Sequence, residues 1–296
     1  MKRRAFLHGL CVLPLGTMVK DIKILQEWVD GTPATVRQPV LFIGHGSPMN
    51  AIESNPYTMA LREIGARILE RNRPIAAMVV SAHWLTRGTL VQKSAAPEII
   101  YDFGGFPDEL YKVQYPVAGN PNIATDTASL IAGAMPTEDW GLDHGAWAVL
   151  KHLFPNADIP SFQMSIDWGK PMSHHYELAG MLSALRERGV LIIGSGNIVH
   201  NLGVSIPMLG SGNRKPFDWA VEFDAWVANA LQNGDYRKLT SYESAGKMGL
   251  LSVPSPDHYI PLLYTLGLAR PGESARTFYE SVEYGGISMR SFIVDS

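Results

Sequence analysis

Two kinds of segment alternate along most of this chain: short apolar runs rich in β-branched residues, and longer stretches with helical periodicity. The runs that predict strands are 40–43, 75–82, 88–94, 159–166, 190–193, 277–282 and 288–294. The stretches that predict helices are 57–70, 122–134, 145–154, 173–188, 218–231 and 259–266. Strands separated by helices pair mainly in parallel, and the helices cover both faces of their sheet. The alternation therefore predicts an α/β fold with a central, mainly parallel or mixed sheet.

The composition is that of a folded protein with a large core. Of the 296 residues, 46% are hydrophobic and 18% are charged, which excludes disorder as the main state. At about 150 residues per domain the length suggests two domains, but α/β chains of this size commonly form one. We predict a single domain.

Charge and cysteine content exclude two classes of function. Lys and Arg total 25 against 28 Asp and Glu, so no overall basic field is available to bind nucleic acid. Cys11 is the single cysteine, so the chain forms no internal disulfide and no thiolate metal site. Any metal chemistry depends on nitrogen and oxygen ligands, and thus on the nine histidines.

The N-terminus has features of an export signal. Three basic residues at 2–4 precede an apolar run at 5–19, which His8 and Pro14 interrupt, and residues 3–7 resemble the core of a twin-arginine signal. No A-x-A-like cleavage site follows, so an ordinary N-terminal helix of a cytoplasmic protein is the alternative. No apolar run reaches the length of about 18 residues that a membrane span needs. We predict export to the periplasm and no membrane span.

Five histidines lie where loops of the predicted sheet would meet. His45, His83 and His200 follow predicted strands, and ligands of open α/β sheets bind beyond the carboxyl ends of the strands. His144 and His258 stand in turn-like segments just before predicted helices. These positions allow a shared metal site, but each histidine alone could equally be a hydrogen-bonded loop residue.

The remaining histidines and motifs give little indication of function. His8, His152, His174 and His175 are predicted to be structural or exposed. The segment 194–197 resembles a phosphate-binding loop but lacks its third glycine, and no Walker lysine follows. The segment 44–47 is not the G-x-S-x-G turn of a serine hydrolase.

Six motifs together closely resemble the bacterial 4,5-DOPA extradiol dioxygenase family, which is related to the catalytic subunit of protocatechuate 4,5-dioxygenase. They are LFIGHGSPM at 41–49, SAHW at 81–84, YDFGGFP at 101–107, GLDHGAW at 141–147, GSGNIVHNL at 194–202 and PDHY at 256–259. The resemblance implies a three-layer α/β/α fold and a catalytic domain at 39–296. Residues 1–38 would then be a signal-like extension.

The resemblance also implies the roles of the five histidines. His45, His83 and His258 are expected to hold one divalent non-haem metal ion. His200 matches a position that is either a fourth ligand or a catalytic residue, and His144 matches a catalytic histidine that contacts substrate. Ring cleavage implies Fe(II), although Zn(II) is assigned in some members.

The expected reaction is extradiol cleavage of a catechol, DOPA or a similar compound, by O2. Two histidines and a carboxylate are the usual ligands for such chemistry, whereas three histidines also hold zinc in hydrolytic centres. A zinc-dependent hydrolase and a non-catalytic metal-binding protein are therefore the alternatives. We interpret Asp257 as a cap or an acceptor beyond the ligands. Four aromatic residues could form a wall for the substrate ring or belong to the core: Phe103, Phe106, Tyr115 and Tyr259.

Overall fold

The central element of this protein is an eight-stranded mixed sheet. A computed structural model describes residues 36–296, so the predicted export signal, Cys11 and His8 lie outside the described residues. In chain order the strands are β1 Val40–Gly44, β2 Ala76–Thr86, β3 Leu90–Gln92, β4 Met135–Thr137, β5 Ser161–Asp167, β6 Val190–Gly196, β7 Ser274–Tyr279, β8 Val282–Glu283, β9 Ile287–Ser288 and β10 Ser291–Asp295. The order across the sheet is β4-β3-β5-β2-β6-β1-β10-β7, while β8 and β9 form a separate pair.

The middle of the sheet is parallel and its margins are mixed. Strands β5, β2, β6 and β1 pair in parallel, with Val79 opposite Ile193 and Phe42 opposite Gly194. On one side β10 and β7 add antiparallel, and on the other β3 pairs antiparallel with β5. The carboxyl ends of the four parallel strands therefore meet at one edge.

Helices occupy both faces of this sheet. They are α1 Pro56–Asn72, α2 Pro121–Ser129, α3 His144–Leu153, α4 Met172–Met181, α5 Ser183–Glu187, α6 Leu202–Gly210, α7 Asp218–Asn233, α8 Lys247–Ser252 and α9 Ile260–Gly267. Short 3-10 segments lie at Pro48–Ala51, Leu110–Lys112 and Tyr236–Ala245.

Alternate strand residues build two separate cores. Val40 and Phe42 of β1 pack with the side that carries α2, α4, α7 and α9. Leu41 and Ile43 pack with the side that carries α1 and α3. This alternation is the two-residue period of a strand buried on both faces. The predicted α/β class and three-layer α/β/α architecture are confirmed.

Several boundaries differ from the sequence-based prediction. Strand β2 continues past residue 82 through His83 to Thr86, and its pairing with β5 shifts register between Val80 and Leu85. The helix predicted at 173–188 is divided into α4 and α5, and it begins after Pro171 with no side-chain cap from Ser173. The last two predicted strands are each divided into two short ones.

Six elements were not predicted at all: β4, α6, α8 and the three 3-10 segments at Pro48–Ala51, Leu110–Lys112 and Tyr236–Ala245. Strand β4 has three residues with a proline in the middle, too short to show a period. Helix α6 contains Pro207 and exposes the apolar side chains of Leu202 and Ile206, so it has no polar face to signal a helix.

None of the helices within residues 36–296 combines the length and apolar character needed to cross a bilayer.

Gly65 lets α1 approach the end of α3, and this contact gives a stability prediction. A Cβ at Gly65 would lie 2.1 Å from the carbonyl oxygen of Leu153, whereas a Cβ at Gly180 in α4 meets nothing within 4 Å. We expect Gly65→Ala to lower the free energy of unfolding by about 1–3 kcal/mol through overpacking. Gly180→Ala should raise it by up to about 1 kcal/mol, because alanine favours helix. Urea unfolding of both variants measures the difference, and equal midpoints would contradict this account of the α1–α3 contact.

Candidate metal centre

The five histidines predicted at loop ends come together at the carboxyl edge of the parallel strands. The ring centroid of His45 lies 5.0 Å from that of His83, 5.5 Å from His144 and 5.2 Å from His258. The His200 ring stacks on His258 with centroids 3.5 Å apart. His45 directly follows β1, and its backbone N–H donates to Gly196 at the end of β6 (3.1 Å).

The protonation of His45 follows from its hydrogen bonds. Its Nδ1 lies 3.0 Å from the hydroxyl of Ser195, and that hydroxyl donates its only proton to the carbonyl oxygen of Gly145 (2.5 Å). Ser195 must therefore accept a hydrogen bond from Nδ1–H of His45. A neutral His45 ring then has no proton on Nε2, which is left as a lone pair.

His83 turns its own Nε2 towards that lone pair. The two Nε2 atoms are 3.1 Å apart, and Nδ1 of His83 lies 3.3 Å from a carboxylate oxygen of Asp102. These two atoms are not aligned for a hydrogen bond, but the negative charge of the carboxylate favours the tautomer with the proton on Nδ1, which leaves Nε2 of His83 as a lone pair. Two facing lone pairs repel each other unless a cation lies between them.

The separation of these two atoms suits one shared metal ion. Nitrogen ligands about 2.0–2.1 Å from an ion, at angles between about 90° and 110°, are about 2.9–3.4 Å apart. The observed 3.1 Å falls within that range. The residues present therefore fit a metal ion held by imidazole nitrogen.

His144 and His258 flank this pair from different sides. Ligand nitrogens of His45, His83 and His144 all lie within 4.8 Å of one another, and this set does not include His258. Nδ1 of His258 lies 3.1 Å from the Asp257 carboxylate, although the two atoms are not aligned for a hydrogen bond. By the distances between ligand nitrogens, His144 thus lies nearer to the pair than His258, the predicted third ligand.

Burial keeps the imidazoles of His45, His83, His200 and His258 neutral. It lowers the pKa of His45 and His258 well below the ordinary value, and neighbouring histidines lower both further. Burial also lowers the pKa of His83, and that of His200 falls to about 4 although the charge of Asp257 opposes the shift. Neutral imidazole is the form that binds metals. The ordinary value near 6.5 that suits an acid–base histidine does not hold for His200.

Two glycines permit the close approach of the strands and loops that carry the histidines. A Cβ at Gly196 would lie 2.2 Å from the carbonyl oxygen of His258, and that oxygen accepts from the N–H of Asn197 (2.8 Å). A Cβ at Gly145 would lie 2.9 Å from the His83 ring. Larger residues at either position would displace a site histidine.

Sequence reasoning missed the polar residues that support the site. Asp143 is fully buried, caps α3 by accepting from the N–H of Ala146 (3.2 Å), and accepts hydrogen bonds from Ser81 and Gln163 (2.7 Å each). Asp102 accepts from Nδ1 of His144 (2.9 Å). Asp102 and Asp143 both lie within the motifs singled out above, but a carboxylate in a loop has no pattern that distinguishes it from a surface residue.

The proposed aromatic wall is divided between site and core. Phe103 packs edge-to-face on His144 with centroids 5.5 Å apart, and Phe106 packs on Phe103. Tyr115 and Tyr259 are buried, and their hydroxyls donate to carbonyl oxygens within the core. Tyr115 and Tyr259 are therefore core residues and do not line the site.

Histidines predicted to be structural lie apart from this cluster. The Nε2 of buried His152 lies 2.7 Å from the carbonyl oxygen of Asn50. The Nδ1 of fully buried His175 lies 3.1 Å from the Tyr264 hydroxyl. His174 is half-buried beside His175.

Comparison with known proteins gives consistent matches over nearly the whole described chain. Residues 39–291 match the family described as the catalytic LigB subunit of aromatic ring-opening dioxygenase. An Escherichia coli protein named 4,5-DOPA dioxygenase extradiol is 43% identical over 265 residues, covering 87% of this chain and 95% of that protein. A Beta vulgaris protein of the same name is 36% identical, covering 85% and 94%. The crystal structure of an uncharacterised Escherichia coli K12 protein superposes with a TM-score of 0.75 at 38% identity, covering 88% of this chain and all of that one.

Proposed function

The chain belongs to the family of the catalytic LigB subunit of aromatic ring-opening dioxygenases, and from this membership we propose that it opens the ring of DOPA or a similar catechol with O2 and Fe(II). It is an extradiol ring-cleavage dioxygenase with a non-haem metal site. The substrate class follows the names of the relatives. The single observation that carries the proposal is the pair of facing Nε2 atoms of His45 and His83, 3.1 Å apart.

We assign the metal to His45, His83 and His258. His45 and His83 present lone pairs to one point, and the buried His258 ring lies about as far from each of them, with centroids 5.2 and 5.0 Å away. When bound, a ferrous ion supplies open coordination positions for a catechol and O2 and the electrons that activate O2. Three neutral ligands leave the site with one negative charge fewer than two histidines and a carboxylate, which favours a fully deprotonated catechol.

His144 and His200 handle the protons in this proposal. Asp102 holds the Nδ1 proton of His144, so its Nε2 is free to accept the proton of a catechol hydroxyl. His200 would take the proton of the second catechol hydroxyl, and its pKa, lowered to about 4, means that it gives this proton up readily. That property suits return of a proton to an oxygen of the opening ring.

The substrate ring lies against Phe103 in this arrangement. Phe103 packs on His144 and is itself backed by Phe106 and Tyr111. An aromatic face beside the proton-accepting histidine orients a planar ring with its hydroxyls towards the metal ligands. Ring opening incorporates both oxygen atoms of O2 into the product, so the reaction needs no further reductant.

Oxygen consumption tests the proposal directly. Metal-free protein reconstituted anaerobically with Fe(II) and then given DOPA in air should form a yellow ring-opened product and consume one O2 per catechol. Resorcinol is the matched control substrate, because its hydroxyls are not adjacent and cannot chelate. The His174→Ala variant is the control protein and should keep full activity, since His174 lies outside the site. Absence of oxygen uptake with every catechol tested, despite full iron loading, would contradict the proposed function.

A pair of variants tests the division of roles between His258 and His144. We expect His258→Ala to lose at least about 100-fold in metal affinity, because it removes one of three ligands. His144→Ala should keep its metal but lose about 100- to 10,000-fold in turnover, because it removes a proton acceptor. Competition with a chromophoric chelator measures affinity in both variants and in His174→Ala. The reverse outcome, with the ion lost only in His144→Ala, would make His144 the third ligand.

A further inference from the structure

We propose that Asp102 is a positioning residue that sets the proton arrangement of His83 and His144 together. One carboxylate oxygen, Oδ2, lies 3.3 Å from Nδ1 of His83 and 2.9 Å from Nδ1 of His144. The other, Oδ1, accepts a hydrogen bond from the backbone N–H of His144 (2.8 Å). The inference rests on the proposed function, which assigns His83 as a metal ligand and His144 as the residue that contacts substrate.

The chemistry of a carboxylate dictates what the two rings must do. An ionised carboxylate has acceptors only, so it favours a hydrogen on each Nδ1 that faces it: on His144 through a hydrogen bond, and on His83 through charge attraction at 3.3 Å. A neutral imidazole has one N–H, and therefore Nε2 of both His83 and His144 is a lone pair. Without Asp102 each ring could adopt either tautomer, and an Nε2–H on His83 would point at the lone pair of His45.

The fold holds Asp102 firmly in this position. The loop before it pairs with the segment before α3: the N–H of Ile100 donates to Leu142 (2.7 Å), and that of Leu142 donates to Glu98 (2.8 Å). The indole N–H of Trp147 donates to the carbonyl oxygen of Ile100 (3.0 Å). The Asp102 side chain is 18% exposed, so water reaches it only in part.

Capping of α3 does not account for these contacts. Asp143 is already the N-cap of α3 and accepts from the N–H of Ala146 (3.2 Å). At that helix end Asp102 accepts only from the backbone N–H of His144, through Oδ1. Its Oδ2 faces the Nδ1 atoms of His144 and His83. Its arrangement is that of a carboxylate that orients the ligands of a metal site.

Asparagine at position 102 separates this role from a purely structural one. The amide has the shape of the carboxylate but only one acceptor oxygen, while Asp102 accepts hydrogen bonds from two N–H groups of His144 and lies 3.3 Å from Nδ1 of His83. With the amide oxygen on the His144 N–H, the NH2 group faces both Nδ1 atoms and requires both rings to carry the proton on Nε2. That change blocks the metal-facing nitrogen of His83 and the substrate-facing nitrogen of His144.

The test is nitrogen NMR of the metal-free full chain labelled with 15N-histidine, where long-range proton–nitrogen correlations distinguish protonated from bare ring nitrogens. His83→Gln and His144→Gln assign the two rings. In the unmodified protein we expect Nδ1–H on both rings, and in Asp102→Asn we expect Nε2–H on both. Zn(II) affinity, measured by chelator competition, should fall about 10- to 100-fold in Asp102→Asn.

Asp108→Asn is the matched control, because Asp108 is an exposed carboxylate of the same loop region, and it should change neither tautomers nor affinity. Nε2–H on His83 or His144 in the unmodified protein would overturn the inference, even if Asp102→Asn did not fold. Unchanged tautomers and unchanged affinity in a folded Asp102→Asn would overturn it as well. These measurements need no turnover, so failure of the oxygen assay would reject the proposed function and leave this inference standing.

Discussion

The site depends on one contact: Nε2 of His45 and Nε2 of His83 face each other at 3.1 Å. In the tautomers that their other partners favour, neither nitrogen carries a proton, so the contact is unfavourable by itself and a bound cation makes it favourable. Strands β1 and β2 both pair in parallel with β6, which lies between them, and this pairing fixes the backbone positions of His45 and His83. The side-chain partners on Nδ1, a hydroxyl for His45 and a carboxylate for His83, fix which nitrogen each ring presents.

A buried polar network links this contact to the fold. Asp143 begins α3 and accepts from Ser81 and Gln163, so the helix that carries His144 is tied to β2 and β5. The carbonyl oxygen of Gly145, at the start of that helix, accepts a hydrogen bond from the hydroxyl of Ser195, the residue that orients His45. A buried polar group without a partner is costly, so each of these residues holds the next in place. The fold positions the site through hydrogen bonds whose loss would also destabilise the protein.

Much of this could be predicted from the sequence, because the strands and helices have clear periods. The end of β1 was predicted within one residue, and the position of His45 at the sheet edge followed from it. The position of His200 followed from the strand predicted at 190–193, which is β6. His83 was predicted to follow a strand, yet it lies within β2, because the register shift after Val80 has no signal in a run of apolar residues. Asp102 could not be predicted as a site residue, since its role depends on a loop brought to α3 by pairing with Leu142. Tyr259, next to a site histidine in the chain, packs away from the site because the two side chains leave the backbone in different directions.

The central claim is that His45 and His83 bind one ion through their Nε2 atoms. The most direct measurement is a crystal structure of the Zn(II)-loaded enzyme, with anomalous difference maps collected on both sides of the zinc absorption edge. We predict a single strong peak about 2.0–2.1 Å from Nε2 of both residues. A peak that lies elsewhere, or a fully loaded crystal with no peak shared by these two nitrogens, would contradict the account.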